Sequence, residues 1–116
     1  MKILFPMLVL LGLVACTMRG QPEPGASGAE IFAVSGCISC HGEDRSGTGS
    51  GPNLQKLSEH WQSPLLASYL ANPKDWIAKD QRLQELDNQF SSSMPSFDNL
   101  NLQERERLAH WLLTSN

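Results

Sequence analysis

The sequence has few cysteines, no long apolar run and no concentration of charge of one sign. Three cysteines in 116 residues exclude a disulfide framework. The formal net charge is −3, and neither a basic patch that would favour nucleic acid nor an acidic block is present. Strand-type alternation and internal repeats are also lacking, whereas apolar residues recur at helical spacing. The sequence therefore predicts one small all-α domain.

The first fifteen residues have the features of an export signal. Lys2 is followed by an apolar run over residues 3–14, which is shorter than the roughly 20 residues that cross a bilayer. The run ends in "LVAC", with Cys16 last, and this pattern resembles the lipobox of bacterial lipoproteins. The resemblance implies cleavage before Cys16, acylation of that cysteine and attachment to the outer face of a membrane. An ordinary signal peptide that contains a cysteine is the alternative.

Residues 16–26 are predicted to be a flexible tether, because they contain prolines and glycines and almost no apolar side chains. Such a segment spans on the order of 20 Å. The predicted division is a lipoprotein signal peptide at residues 1–15, the tether at 16–26 and a folded domain at 27–116. Thr17 is not the aspartate associated with inner-membrane retention. Sorting by analogy therefore favours the outer membrane of a Gram-negative cell, facing the periplasm or the exterior.

Four segments of the folded part have a polar capping residue followed by apolar side chains at helical spacing. The expected caps are Ser27, Ser63, Asn72 and Asn101. Residues 42–51 contain four glycines and predict a loop, and residues 80–93 are too polar to assign. A domain this small with such long loops has few side chains to form a core. A large apolar cofactor at its centre would supply the missing apolar surface.

The segment "CISCH" places Cys37, Cys40 and His41 within five positions. A thioredoxin-like redox pair would sit in a βαβ unit, and this sequence predicts no strand. A structural zinc site needs four ligands, but the remaining histidines, His60 and His110, are isolated from one another. Two cysteines three positions apart can instead form thioethers to a haem, with the adjacent histidine on the iron. The motif therefore predicts covalently attached haem.

The second axial position of the iron has two candidates. Met94 is the one methionine within residues 27–116, and it lies in the irregular stretch "SSSMPSF". Most methionines fill gaps in a core, but the neighbours of Met94 are mainly serines. His60 is the rival ligand, and ligation by two histidines would lower the reduction potential.

The segments "GAEIFAVSGCISCHG", "GPNL", "MPSF" and the closing helix together resemble a class I monohaem cytochrome c of the small bacterial type. The resemblance covers residues 27–116. It implies one haem c attached to Cys37 and Cys40, with His41 and Met94 as axial ligands. It also implies that the carbonyl of Pro52 accepts a hydrogen bond from the ring nitrogen of His41 that does not bind iron.

The same resemblance implies that the first and last helices cross, with Gly28 and Phe32 facing Leu108 and Trp111. Phe32 lies five residues before Cys37 rather than the four of the mitochondrial form. The lysine-rich docking face of that form is absent, so acidic partners do not carry over.

Three aromatic residues have two interpretations each. They either donate hydrogen bonds to haem propionates or pack against the core. These residues are Trp61, Tyr69 and Trp76.

An iron with both axial positions filled by protein has no open site for a substrate, so we expect one-electron transfer rather than an enzyme. The expected protein is a lipid-anchored monomer that docks transiently with redox proteins. Two alternatives remain: a gas- or peroxide-reactive haem protein in which Met94 dissociates, and a haem subunit of a membrane respiratory complex.

Overall fold

A computed structural model describes residues 20–115 of the chain. The predicted signal peptide and Cys16 lie outside the described residues. Within them the chain forms six α-helices and one short 3-10 helix at Leu57–Glu59. The α-helices are α1 (Gly28–Val34), α2 (Ile38–His41), α3 (Ser63–Ala71), α4 (Pro73–Lys79), α5 (Gln81–Gln89) and α6 (Leu102–Thr114). Extended pairing in this part of the chain is one isolated bridge, Thr48 to Gly51, so the all-α prediction is confirmed.

Three of the four predicted helix caps are confirmed. The Ser27 hydroxyl accepts a hydrogen bond from the Glu30 amide at 3.2 Å, and the Asn72 side chain accepts one from the Asp75 amide. Asn101 forms a complete capping box at the start of α6. The prediction for Ser63 is wrong, because Ser63 is the first residue of α3 and the preceding Gln62 occupies the cap position.

Helix α5 forms in the stretch that its polar composition left unassigned. Its cap is Asp80, whose carboxylate accepts a hydrogen bond from the Leu83 amide at 3.1 Å. Leu83 is buried and Leu86 half-buried, so a narrow apolar stripe faces the protein while the rest of the helix is polar.

Helices α1 and α6 cross at very short distance. A Cβ atom placed on Gly28 would lie 2.2 Å from the Cβ of Trp111, so only glycine permits this approach. The rings of Phe32 and Trp111 pack with their centroids 5.2 Å apart, and Leu108 is fully buried beside them. The predicted crossing is therefore confirmed.

Helix α6 also packs against α3, and side chains of both helices belong to the same core as those of α1. Residues 20–26 run beside this core: Ala26 is buried, and the Gly20 amide donates a hydrogen bond to the Val34 carbonyl at 2.8 Å. No helix among residues 20–115 combines the length and the apolar character needed to cross a membrane.

Candidate cofactor site

A cavity of about 990 Å³ lies between α2, α3, α5, α6 and the loops that join them. Its volume is at the upper end of the range for small-molecule and cofactor sites. Large apolar side chains from along the whole domain form most of its lining. They include Phe32, Leu54, Leu57, Leu66, Tyr69, Leu70, Ile77, Leu83, Leu86, Phe90, Phe97, Leu108 and Leu112. The cavity thus suits a large, mainly apolar group.

Both cysteines of the "CISCH" segment line this cavity as free thiols. Burial raises the pKa of the Cys37 thiol to about 11, and repulsion from Cys40 adds a smaller contribution in the same direction. A redox-active cysteine functions as a thiolate and has a lowered pKa, unlike Cys37. Within residues 20–115, moreover, no three His, Cys, Asp or Glu side chains are grouped so that they could hold a metal ion. These features argue against the redox-pair and zinc interpretations.

His41 is the last residue of α2 and lines the same cavity. Its Nδ1 lies 2.8 Å from the Pro52 carbonyl oxygen. A carbonyl only accepts, so Nδ1 carries the proton and donates, which leaves Nε2 with a free lone pair. Burial lowers the pKa of His41, and the hydrogen bond to Pro52 opposes this effect only in part. The ring is therefore neutral at pH 7 and suited to bind a metal through Nε2.

The loop at residues 42–51, here called the glycine arch, brings Pro52 to His41. The Gly47 amide donates to the His41 carbonyl at 2.8 Å, and the Thr48 hydroxyl donates to the Cys40 carbonyl at 2.7 Å. A Cβ atom on Gly51 would lie 2.9 Å from the Cys40 carbonyl oxygen. The arch is thus hydrogen-bonded to the cysteine-bearing helix and contacts it directly.

Arg45 is a residue of the arch that sequence reasoning missed. It has a left-handed backbone, with φ of 64°, although it is not glycine. Its buried guanidinium donates a hydrogen bond to the Ser115 carbonyl at 2.8 Å and lies 4.9 Å from the Trp111 ring centroid. Arg45 therefore connects the arch to the end of α6. The glycine-rich surroundings in the sequence gave no sign of this contact.

Met94 reaches the cavity from residues 91–97, here called the methionine segment, which contains no helix. Met94 is half-buried, while Ser91, Ser92 and Ser93 before it are exposed. The structure therefore brings Met94 and His41, separated by more than 50 positions in the sequence, to one cavity. His60 also lines this cavity but is exposed.

The predicted aromatic residues are divided between the cavity and the core around it. Trp61 and Tyr69 line the cavity and pack against each other, whereas Trp76 packs on the Trp61 ring and is not part of the lining. Burial raises the pKa of Tyr69 to about 12, with Asp87 adding a smaller effect. Arg82, which the sequence did not single out, also lines the cavity, 5.9 Å from the Trp61 ring centroid.

The family model described as Cytochrome c matches residues 25–116, which is most of the chain and all of the segment that lines the cavity. The search of curated proteins gave no match. The search of solved structures also gave none.

Proposed function

This chain belongs to the cytochrome c family, whose members carry a covalently attached haem c, and we propose that it is a one-electron carrier. In this proposal Cys37 and Cys40 would hold the haem, and His41 and Met94 would bind its iron. The typical role of the family, electron transfer by haem, is the basis of the proposal.

The observation that carries the proposal is the composition of the cavity lining. Two free thiols, one neutral imidazole with Nδ1 already occupied, and one thioether all border the same apolar cavity. The thiols suit attachment of a porphyrin, and the imidazole and the thioether suit its iron. His41 has its hydrogen-bond partner in Pro52, and Met94 is half-buried at the cavity. These placements support the proposed ligand set over a chance grouping of the four side chains.

The haem iron supplies reversible Fe(III)/Fe(II) cycling by one electron, which is chemistry that no side chain here provides. The protein's role is to set the reduction potential and to keep water away from the iron. A thioether from Met94 stabilises Fe(II) relative to Fe(III), and the apolar lining excludes water and disfavours the more highly charged state. Pro52 fixes the orientation of the His41 ring through the hydrogen bond at Nδ1.

The charged side chains that line the cavity are mixed in sign: Lys56 and Arg82 are basic, and Glu59 and Asp87 are acidic. Because the charges around the cavity are mixed in sign, they do not strongly attract a partner of one charge. We propose that the protein is a monomer that binds redox proteins transiently through small interfaces.

We further propose that Cys16 is acylated and that the protein faces the periplasm or the cell exterior, on the outer membrane of a Gram-negative cell. Cells given labelled palmitate should incorporate it into the wild-type protein and not into Cys16→Ser.

The ligand set is tested by spectroscopy of the holoprotein. We expect the ferric protein to have the weak near-infrared band of methionine-ligated haem. Met94→Ala should abolish this band and lower the reduction potential, because water or a weaker donor replaces the thioether. His60→Ala is the matched control and should change neither. Loss of the band in His60→Ala, or its absence from the wild-type protein, would contradict the assignment.

Exposure of the methionine segment favours a second candidate, a gas- or peroxide-reactive haem protein in which Met94 dissociates. Carbon monoxide separates the two, because it binds reduced haem only where an axial position opens. Slow, weak binding is expected for an electron carrier, and fast, tight binding would favour the second candidate.

A further inference from the structure

We propose that Ser91 is a clasp that joins the methionine segment to the glycine arch and thereby controls how readily Met94 leaves the iron. This inference rests on the proposed ligation by Met94. It assigns a positioning role to Ser91, which lies three residues before Met94 and is not itself part of the cavity lining.

Ser91 makes two hydrogen bonds to one acceptor. Its amide donates to the Gly49 carbonyl at 3.1 Å, and its hydroxyl donates to the same oxygen at 3.2 Å. The hydroxyls of Ser50 and Ser91 are 3.4 Å apart, and since Ser91 already donates to Gly49, Ser50 is the donor in that pair. Both the backbone and the side chain of Ser91 are therefore bonded to the arch at Gly49.

The arch bonded by Ser91 is the one that orients His41. Gly49 lies three residues before Pro52, whose carbonyl accepts from His41 Nδ1. Thr48, next to Gly49, donates to the Cys40 carbonyl. Movement of Ser91 away from Gly49 thus breaks hydrogen bonds to the loop that orients His41. The segments that carry Met94 and His41 are therefore connected through the arch by hydrogen bonds and short stretches of backbone.

The far end of the methionine segment is held differently. The Phe97 amide donates to the Leu70 carbonyl at 2.9 Å, the Ser96 hydroxyl donates to the Ala71 carbonyl at 3.0 Å, and the Phe97 side chain is buried. Ser91 is exposed, and the apolar side chain beside it, Phe90, is only half-buried. Water competes for exposed hydrogen bonds and not for a buried ring, so the Ser91 end opens first. The strength of the clasp therefore sets the frequency at which Met94 is released.

The test measures the rate at which imidazole replaces the methionine ligand in the ferric holoprotein. Ser91→Ala removes the hydroxyl and keeps the amide, and the expected rate increase is on the order of two- to tenfold. Ser91→Pro also removes the amide donor and should increase the rate further. Ser91→Thr keeps both donors and should restore a rate close to that of the wild type.

Ser58→Ala is the matched control, because Ser58 is exposed, lies outside the cavity lining and makes no side-chain hydrogen bond among residues 20–115. Its exchange rate should equal that of the wild type. Equal rates for Ser91→Ala and wild type would overturn the clasp. If Ser91→Pro does not fold, the Ser91→Ala and Ser91→Thr pair decides the question.

Failure of the clasp and failure of the proposed ligation give different results. A wild-type ferric protein without the near-infrared methionine band contradicts the ligation by Met94 and the clasp with it. A normal band in every variant, together with unchanged exchange rates, contradicts the clasp alone. Circular dichroism separates either result from general unfolding, since a clasp variant should keep the wild-type helix content.

Discussion

The glycine arch and the methionine segment both adjoin the cavity, but they are held in opposite ways. The arch is bonded to the helix that bears Cys40 and His41, and it contains a buried cation, Arg45, that reaches the end of α6. The methionine segment has three consecutive exposed serines and is fixed mainly where it begins and ends. The arch is thus bonded to the helix that carries His41, whereas the serines that precede Met94 are bonded to the rest of the described residues only at Ser91.

This difference assigns distinct roles to two donors that would bind the same iron. A histidine whose second nitrogen is bonded to a fixed carbonyl cannot rotate without breaking several contacts. A methionine on an exposed segment can move at the cost of a few solvent-exposed hydrogen bonds. We therefore expect exchange at the iron to occur on the methionine side.

The largest expected effect comes from breaking the arch with Gly51→Val. The new side chain would collide with the Cys40 backbone and push the Pro52 carbonyl away from His41. We expect a loss of about 3 kcal/mol in the free energy of unfolding, from overpacking together with the lost hydrogen bond. Chemical denaturation of the holoprotein measures it.

Gly49→Ala is the control for this variant, because no atom lies within 4 Å of a Cβ atom placed there and Gly49 has no left-handed backbone. It should change the free energy of unfolding by less than about 1 kcal/mol. Equal destabilisation by the two substitutions would mean that the arch does not contact α2 closely at Gly51.

A smaller loss in the free energy of unfolding is expected at Arg45. Two truncations there distinguish the loss of side-chain contacts from the effect of backbone strain. Both Arg45→Ala and Arg45→Gly lose the bond to Ser115 and the contact with Trp111, at a cost of about 1–3 kcal/mol. Glycine adopts φ of 64° without the steric cost that alanine has there, so the glycine variant should be the more stable of the two by about 0.5–1 kcal/mol. Thermal or chemical unfolding compares them. The reverse order would show that the left-handed backbone carries no strain.

An effect confined to alkaline pH is expected at Tyr69, the only tyrosine of the chain. Its pKa is raised from 10.0 to about 12 by burial in the cavity wall, so the contribution to stability is complete below pH 10. It is lost between pH 10 and 12, where the unfolded chain ionises first, by about 1 kcal/mol per pH unit. Tyr69→Phe should lack this dependence.

Ultraviolet difference titration against Tyr69→Phe gives the pKa directly. Tyr69 and Met94 line the same cavity, so entry of water through an opened methionine segment would lower this pKa toward 10. A value near 10 in the wild type would mean that the cavity wall is not closed on that side.

The predictions from sequence succeeded where the signal was local. A cap bonds to an amide three residues away, so the cap at Ser27 and the capping box at Asn101 follow from spacing alone. The absence of strand-type alternation correctly predicted the all-α class. The one incorrect cap, Ser63, differs from the observed cap by a single position, because Pro64 fits either of the first two positions of a helix.

Other features were missed because their determinants are remote in sequence or weak in composition. Helix α5 has a mostly polar surface, and only Asp80 with Leu83 and Leu86 would have revealed it. The partner of Arg45 is 70 positions away and that of Ser91 is 42 positions away. No local pattern encodes contacts between loops so far apart.

The sequence by itself determined the chemistry of this protein: two thiols and an imidazole at fixed spacing, a single methionine in the folded part, and helices that begin at their own capping residues. These properties follow from bonds and spacings within a few residues. The tertiary structure alone decided which groups meet, including Pro52 at His41, Arg45 at Ser115 and Ser91 at Gly49. Such pairings depend on how the helices pack around the cavity, because packing brings distant backbone groups within hydrogen-bonding distance.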